Sequence, residues 1–134
     1  MKGYRDALTG HGLPVRPEYI HQCEKNVICA RDLLLELAKD GLVFVMTSDD
    51  TLAVGAIKYA HMQDLKIPDD LSIVGYNNST YAICTDPELT SIDSKVEALC
   101  TATINTLMGV FNGVNVPSRT TIAADLIKRA TTKF

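Results

Sequence analysis

Two short apolar runs constrain this chain more than anything else in it. Residues 42–46 read Leu-Val-Phe-Val-Met, and residues 71–75 read Leu-Ser-Ile-Val-Gly. Their β-branched and aromatic content suits strands. Each run stops at a polar turn, and between them residues 50–65 carry Leu52, Ala53, Ala56, Ile57 and Ala60 at helical spacing. Strand, helix, strand in this order predicts a parallel sheet with right-handed crossovers. Strands covered on both faces read as unbroken apolar runs, so both are expected to be buried.

The rest of the chain fits the same class, an α/β fold with a parallel sheet flanked by helices. A helix is expected from residue 3 towards Gly10 and Gly12, and a short extended piece around residues 19–21. A second helix should carry Val27, Ala30, Leu34, Leu37 and Ala38, closed by Gly41. Residues 67–70 form a turn, 76–80 a polar loop, and 89–92 a third strand. A long amphipathic helix over 94–112 carries Val96, Leu99, Ile104, Leu107 and Phe111 on one stripe. A last extended segment is expected across 121–127.

Composition narrows the function. The chain has 134 residues, 46% of them apolar, and a net charge of −3, so one packed domain is expected and a basic nucleic-acid surface is not. No apolar run approaches the roughly 18 residues of a membrane span, and no signal-like segment opens the chain. Cys23, Cys29, Cys84 and Cys100 lack CxxC spacing and the three histidines are scattered, so free thiols in a reducing cytosol are expected, with no metal site. No nucleophile elbow, zinc-protease motif or phosphate-binding glycine loop is present, which argues against an enzyme and against a bound cofactor.

The polar turns are where chemistry can sit, because ligands of an open parallel sheet bind beyond the carboxyl ends of its strands. Ser48, Asp49 and Asp50 follow the first run, and Tyr76, Asn77, Asn78 and Ser79 follow the second. One aspartate suffices to cap the helix that starts there. The other is left over, and a carboxylate can accept hydrogen bonds from two adjacent hydroxyls of a sugar. For Asn77 and Asn78 a plain turn is equally compatible, since asparagine tolerates left-handed backbone.

Five motifs in order carry a family resemblance. They are Gly3-Tyr-Arg-Asp-Ala-Leu8, Asp50-Thr-Leu-Ala-Val-Gly55, Ile67-Pro-Asp-Asp-Leu-Ser-Ile-Val-Gly-Tyr-Asn-Asn-Ser79, Pro87-Glu-Leu-Thr-Ser-Ile92 and Leu126-Ile-Lys-Arg-Ala-Thr-Thr132. Together they resemble the C-terminal, effector-binding part of a LacI/GalR-family transcriptional regulator. The resemblance implies a periplasmic-binding-protein-like fold of two lobes, with residues 1–93 and 118–134 in the C-terminal lobe and the helix of 94–117 belonging to the other lobe. It implies a small-molecule effector, a sugar or nucleobase, held between the lobes by Asp50, Asp49, Asn77 and Ser94. Asp50 matches the family aspartate assigned to effector hydroxyls, Asp49 stands where asparagine is usual, and Asn77 where aspartate is usual. It further implies a cytoplasmic homodimer that reaches operator DNA through an N-terminal domain outside this chain. A periplasmic sugar-binding protein of a transport system is the alternative. A protein effector docked on the 94–112 helix would want basic residues on a face that offers Asn105, Gly109 and Asn112.

Overall fold

The computed structural model describes residues 2–37 and 41–133. Four strands form one sheet in the order β1 (Phe44–Met46), β2 (Ser72–Tyr76), β3 (Thr90–Asp93) and β4 (Asp125–Ile127). The first three are parallel, and β4 runs antiparallel to β3 with Asp93 opposite Asp125. The helices are α1 (Lys2–Gly10), α2 (Val27–Leu37), α3 (Asp50–Met62), α4 (Thr80–Cys84) and α5 (Val96–Phe111). The expected class is therefore the observed one. Ala38, expected at the end of α2, lies outside the described residues.

The core sits where α2 and α3 stack on the sheet. Ala53, Ala56 and Ala60 of α3 are buried together with Leu34 of α2, Ile73 of β2, and Leu71 and Leu89. Small residues on α3 let α2 come close. At Gly55 an added Cβ would lie 2.5 Å from the Val27 carbonyl oxygen and 2.7 Å from the Ala30 Cβ. The chain's end is stitched to the sheet by hydroxyls. Buried Thr131 donates its Oγ1 to the Ile73 carbonyl at 2.7 Å and accepts the Thr90 N–H at 2.9 Å.

Four expectations need correction. Strand β1 is not buried: Phe44 and Met46 are each 49% exposed, because β1 is the edge of the sheet and has a neighbour on one side only. Residues 17–19 form a 3₁₀ turn opened by Pro17, with extended backbone at Ile20 and no strand partner among the described residues. The polar loop after β2 is shorter than expected, since Thr80 already starts α4 behind the cap position of Ser79. In the final segment only Asp125–Ile127 pairs, and residues 121–123 do not.

Helix α5 stands apart from this core. None of its residues is buried, and Phe111 is 75% exposed. Its neighbour is the irregular return segment, with which it flanks a cavity of about 390 Å³ between Leu99, Thr106, Val110 and Pro117, Arg119 and Ile122. Among the described residues no helix is long and apolar enough to cross a membrane.

Candidate functional site

The two adjacent aspartates at the carboxyl end of β1 do different jobs. Asp49 has extended backbone and caps α3, its Oδ1 accepting the Thr51 N–H at 2.8 Å. Its Oδ2 faces the opposite way and takes two donors, the Asn77 amide at 3.1 Å and the Lys25 ammonium at 2.7 Å. Lys25 comes from the turn before α2, where Asn26 caps the helix by accepting the Cys29 N–H at 2.7 Å. Three chain segments thus converge on one carboxylate.

Asp50 is 1% exposed and turned into the protein. Its Oδ2 accepts the Ser79 N–H at 2.6 Å and the Ser79 hydroxyl at 2.8 Å; its Oδ1 accepts the Ser91 hydroxyl at 2.6 Å. Gly75 makes room for it, since a Cβ there would collide with the Asp50 carboxylate and lie 2.8 Å from Leu89 Cδ2. Asp50, expected to meet effector hydroxyls, instead ties α3 to the loop after β2 and to β3. Both aspartates are buried, Asp49 at 8% and Asp50 at 1% exposure, and they differ in partners: the cap residue meets Lys25 and Asn77, the first helical residue Ser79 and Ser91.

Asn77 and Asn78 both have positive φ, 93° and 49°, so the turn reading of these residues holds as well. The turn has a use. It keeps the Asn77 N–H on the Ile92 carbonyl at 2.8 Å while its side chain reaches Asp49. Asn78 is anchored by Arg129, whose guanidinium donates to its Oδ1 at 2.8 Å. Beside this turn lies a cavity of about 480 Å³ lined by Asn77, Asn78, Asp93, Lys95, Val96, Glu97 and Ala98. Ser94 is half-buried between two of the lining residues, Asp93 and Lys95.

The geometry brings Asp49 and Asn77 into direct contact, sets Asn77 on the cavity wall beside the Ser94 segment, and withdraws Asp50. It adds Lys25, Asp93 and Lys95, which sequence reasoning passed over, and ties in Asn78 through Arg129. The asparagine cap of α2 was a usable signal for Lys25; the Asn78–Arg129 contact spans residues too far apart for any local pattern. Among the described residues no group of three or more histidine, cysteine or acidic side chains could hold a metal ion.

Burial alone would raise the Asp49 carboxyl, but the hydrogen bonds from Lys25 and Thr51 outweigh it and hold the group below its ordinary 3.8. A carboxyl with a lowered folded value stabilises the fold above its unfolded value and loses that contribution as pH falls through the folded one. Asp49→Ala is therefore expected to cost about 1–2 kcal/mol near neutral pH, mostly as a lost cap. The difference from wild type should shrink as pH drops below 3.8. Urea unfolding of both proteins across that range measures it; a pH-independent difference would contradict the assignment.

The chain matches the family model of the periplasmic binding protein-like domain over residues 1–132. It is 48% identical over its whole length to an HTH-type transcriptional regulator of Lachnoclostridium phytofermentans, of which it covers 41%. It is 30% identical to the ribose operon repressor of Haemophilus influenzae, over 91% of this chain and 37% of that protein. Among solved structures it resembles the Escherichia coli transcriptional repressor AscG, with a TM-score of 0.86 and 25% identity over 96% of this chain and 48% of that one. The chain thus spans about two-fifths of the length of the curated relatives it matches. It belongs to the periplasmic binding protein-like domain family, in the form carried by LacI-family transcriptional regulators.

Proposed function

We infer that this chain is the effector-sensing part of a LacI-family transcriptional repressor, and that the effector is a neutral, hydroxylated small molecule of the sugar class. The observation that carries this reading is the hydrogen bond by which Asn77, on the cavity wall, donates its amide to the Asp49 carboxylate. A carboxylate oxygen and an amide, fixed beside one another, match adjacent hydroxyls, each of which both donates and accepts. In this proposal Asp49, Asn77 and Ser94 meet the effector, and Asp50 acts one step back, holding the Ser79 turn in place.

A sugar fits better than a nucleobase. The cavity lining offers carboxylates, amides and an ammonium but no aromatic ring for a base to stack on. The ribose operon repressor is a relative whose name points the same way. The matched relatives are regulators, which favours this reading over a transport protein. The remaining parts of the proposal follow from the family. Residues 1–93 and 118–134 form one lobe, 94–117 contribute to the other, and a cytoplasmic homodimer engages operator DNA through a separate N-terminal domain. No turnover is expected. The effector acts by binding one arrangement of the lobes better than another, and only that difference in affinity can move the DNA-binding heads.

A calorimetric panel on the full-length gene product tests the class. A sugar or sugar alcohol should bind with heat, and nucleosides should not. Binding of a nucleoside with no sugar response would overturn the sugar assignment.

A further inference from the structure

The structure hangs α5 from the sheet by two chain passages that run side by side. β3 delivers the chain to α5 at Asp93, and β4 takes it back at Asp125, directly opposite in the sheet. Within this chain α5 has no buried residue and leans on its own return segment. Lys95 sits at the junction. Its backbone is left-handed, φ 55° and ψ 51°, a conformation disfavoured for a residue with a side chain. Its N–H donates to Asp93 Oδ1 at 2.8 Å. Its ammonium lies 2.7 Å from Asp125 Oδ2 and 3.3 Å from Asp93 Oδ2.

We propose that Lys95 is a positioning residue that clamps the two passages together and so fixes the direction in which α5 leaves the sheet. The clamp adds to what one left-handed residue and a short antiparallel pair contribute to that direction. A glycine or asparagine would adopt the same backbone more readily, but neither could bridge the two carboxylates. The outgoing passage forms part of the cavity wall, where Asp93 and Lys95 stand with Asn77 and Asn78. That the clamp matters for sensing rests on the effector reading above; the clamp itself does not.

The side chains involved are partly exposed, 35% for Lys95, 25% for Asp93 and 61% for Asp125. Such ion pairs bias a conformation and do not hold a fold together. The expected effect is therefore a change of populations with global stability unchanged. Exposed Cys84 on α4 and Cys100 on α5 are natural labelling positions on the body and on the arm. In full-length protein with Cys23→Ser and Cys29→Ser and any cysteines outside this chain replaced, nitroxides at the two sites report the distance distribution without any effector present. One narrow distribution is expected with Lys95 and also with Lys95→Arg. Lys95→Met should raise the population at other distances roughly three- to fivefold with an unchanged unfolding midpoint. About 1 M salt, where the Debye length is ~3 Å, should shift the Lys95 protein towards Lys95→Met and leave Lys95→Met as it was. A Lys95→Met distribution as narrow as wild type, an Arg variant as broad as the Met variant, or indifference to salt would overturn the clamp. None of these results bears on whether a sugar binds, so the two proposals fail separately.

Discussion

Asp50→Ala is expected to lower stability by about 3–5 kcal/mol, a large part of the roughly 5–15 kcal/mol that holds a domain together. The carboxylate is buried and accepts from Ser79 N–H, Ser79 Oγ and Ser91 Oγ. Removing it strands the buried Ser91 hydroxyl and deprives the half-buried Ser79 of its partner, and an unsatisfied buried group costs its full desolvation. The melting midpoint should fall by roughly 10–20 °C. Asp50→Asn keeps the shape but offers one acceptor oxygen in place of two, so it should cost less, about 2 kcal/mol. Ser91→Ala alone should cost about 1–2 kcal/mol, and its effect should largely vanish in an Asp50→Ala background, because both changes remove one network. Additive losses in that cycle would show that Asp50 is not the hub described here. Thermal and urea unfolding of the four proteins settles it.

Gly55→Ala is expected to destabilise by about 2 kcal/mol, against the usual sign of this substitution in a helix. Alanine ordinarily gains ~1 kcal/mol over glycine inside a helix. Here the new methyl group would meet the Val27 carbonyl oxygen at 2.5 Å, Ala30 Cβ at 2.7 Å and Arg31 N at 3.1 Å. Two of those atoms are backbone, so α2 itself must move outward. Gly3→Ala in α1 is the matched control, since nothing lies within 4 Å of its Cβ, and it should be neutral or mildly stabilising. Urea midpoints moving in the same direction for both variants would contradict the close α2–α3 contact. The displacement also reaches the candidate site. Lys25 and Asn26 precede the end of α2 that Gly55 touches, so their grip on Asp49 should loosen as the helix shifts.

The parallel sheet was legible because its evidence is local: unbroken apolar runs, a helical stripe between them, polar turns at the ends. What escaped was tertiary. Residues 42–46 read as buried, yet whether a strand is central or at an edge depends on which neighbours pair with it, and Phe44 and Met46 are left exposed. Helix α4 spans five residues, too few to show a period. The amphipathic stripe of α5 was visible, but a stripe does not say what covers it, and in this structure nothing buries it.

The site divides in the same way. Its position followed from the rule that ligands gather at strand carboxyl ends, and Asp49 meets Asn77 there. Which aspartate meets Asn77 did not follow, because the two differ by one residue. One residue at a helix start separates the cap, which here meets Lys25 and Asn77, from the first turn, which here meets Ser79 and Ser91. The serines that enclose Asp50 lie 29 and 41 residues away, beyond any pattern in a short window.

The most direct test titrates the sugar that emerges from the calorimetric panel into full-length protein carrying wild-type Asp49, Asp49→Ala or Asn77→Ala. The account predicts a loss of at least about tenfold in affinity for each variant, the magnitude of one charge-assisted hydrogen bond, while both proteins stay folded at the working temperature. Wild-type affinity in both variants would mean that the carboxylate and amide at the strand ends do not hold the effector, and the sensor assignment for this crevice would fall.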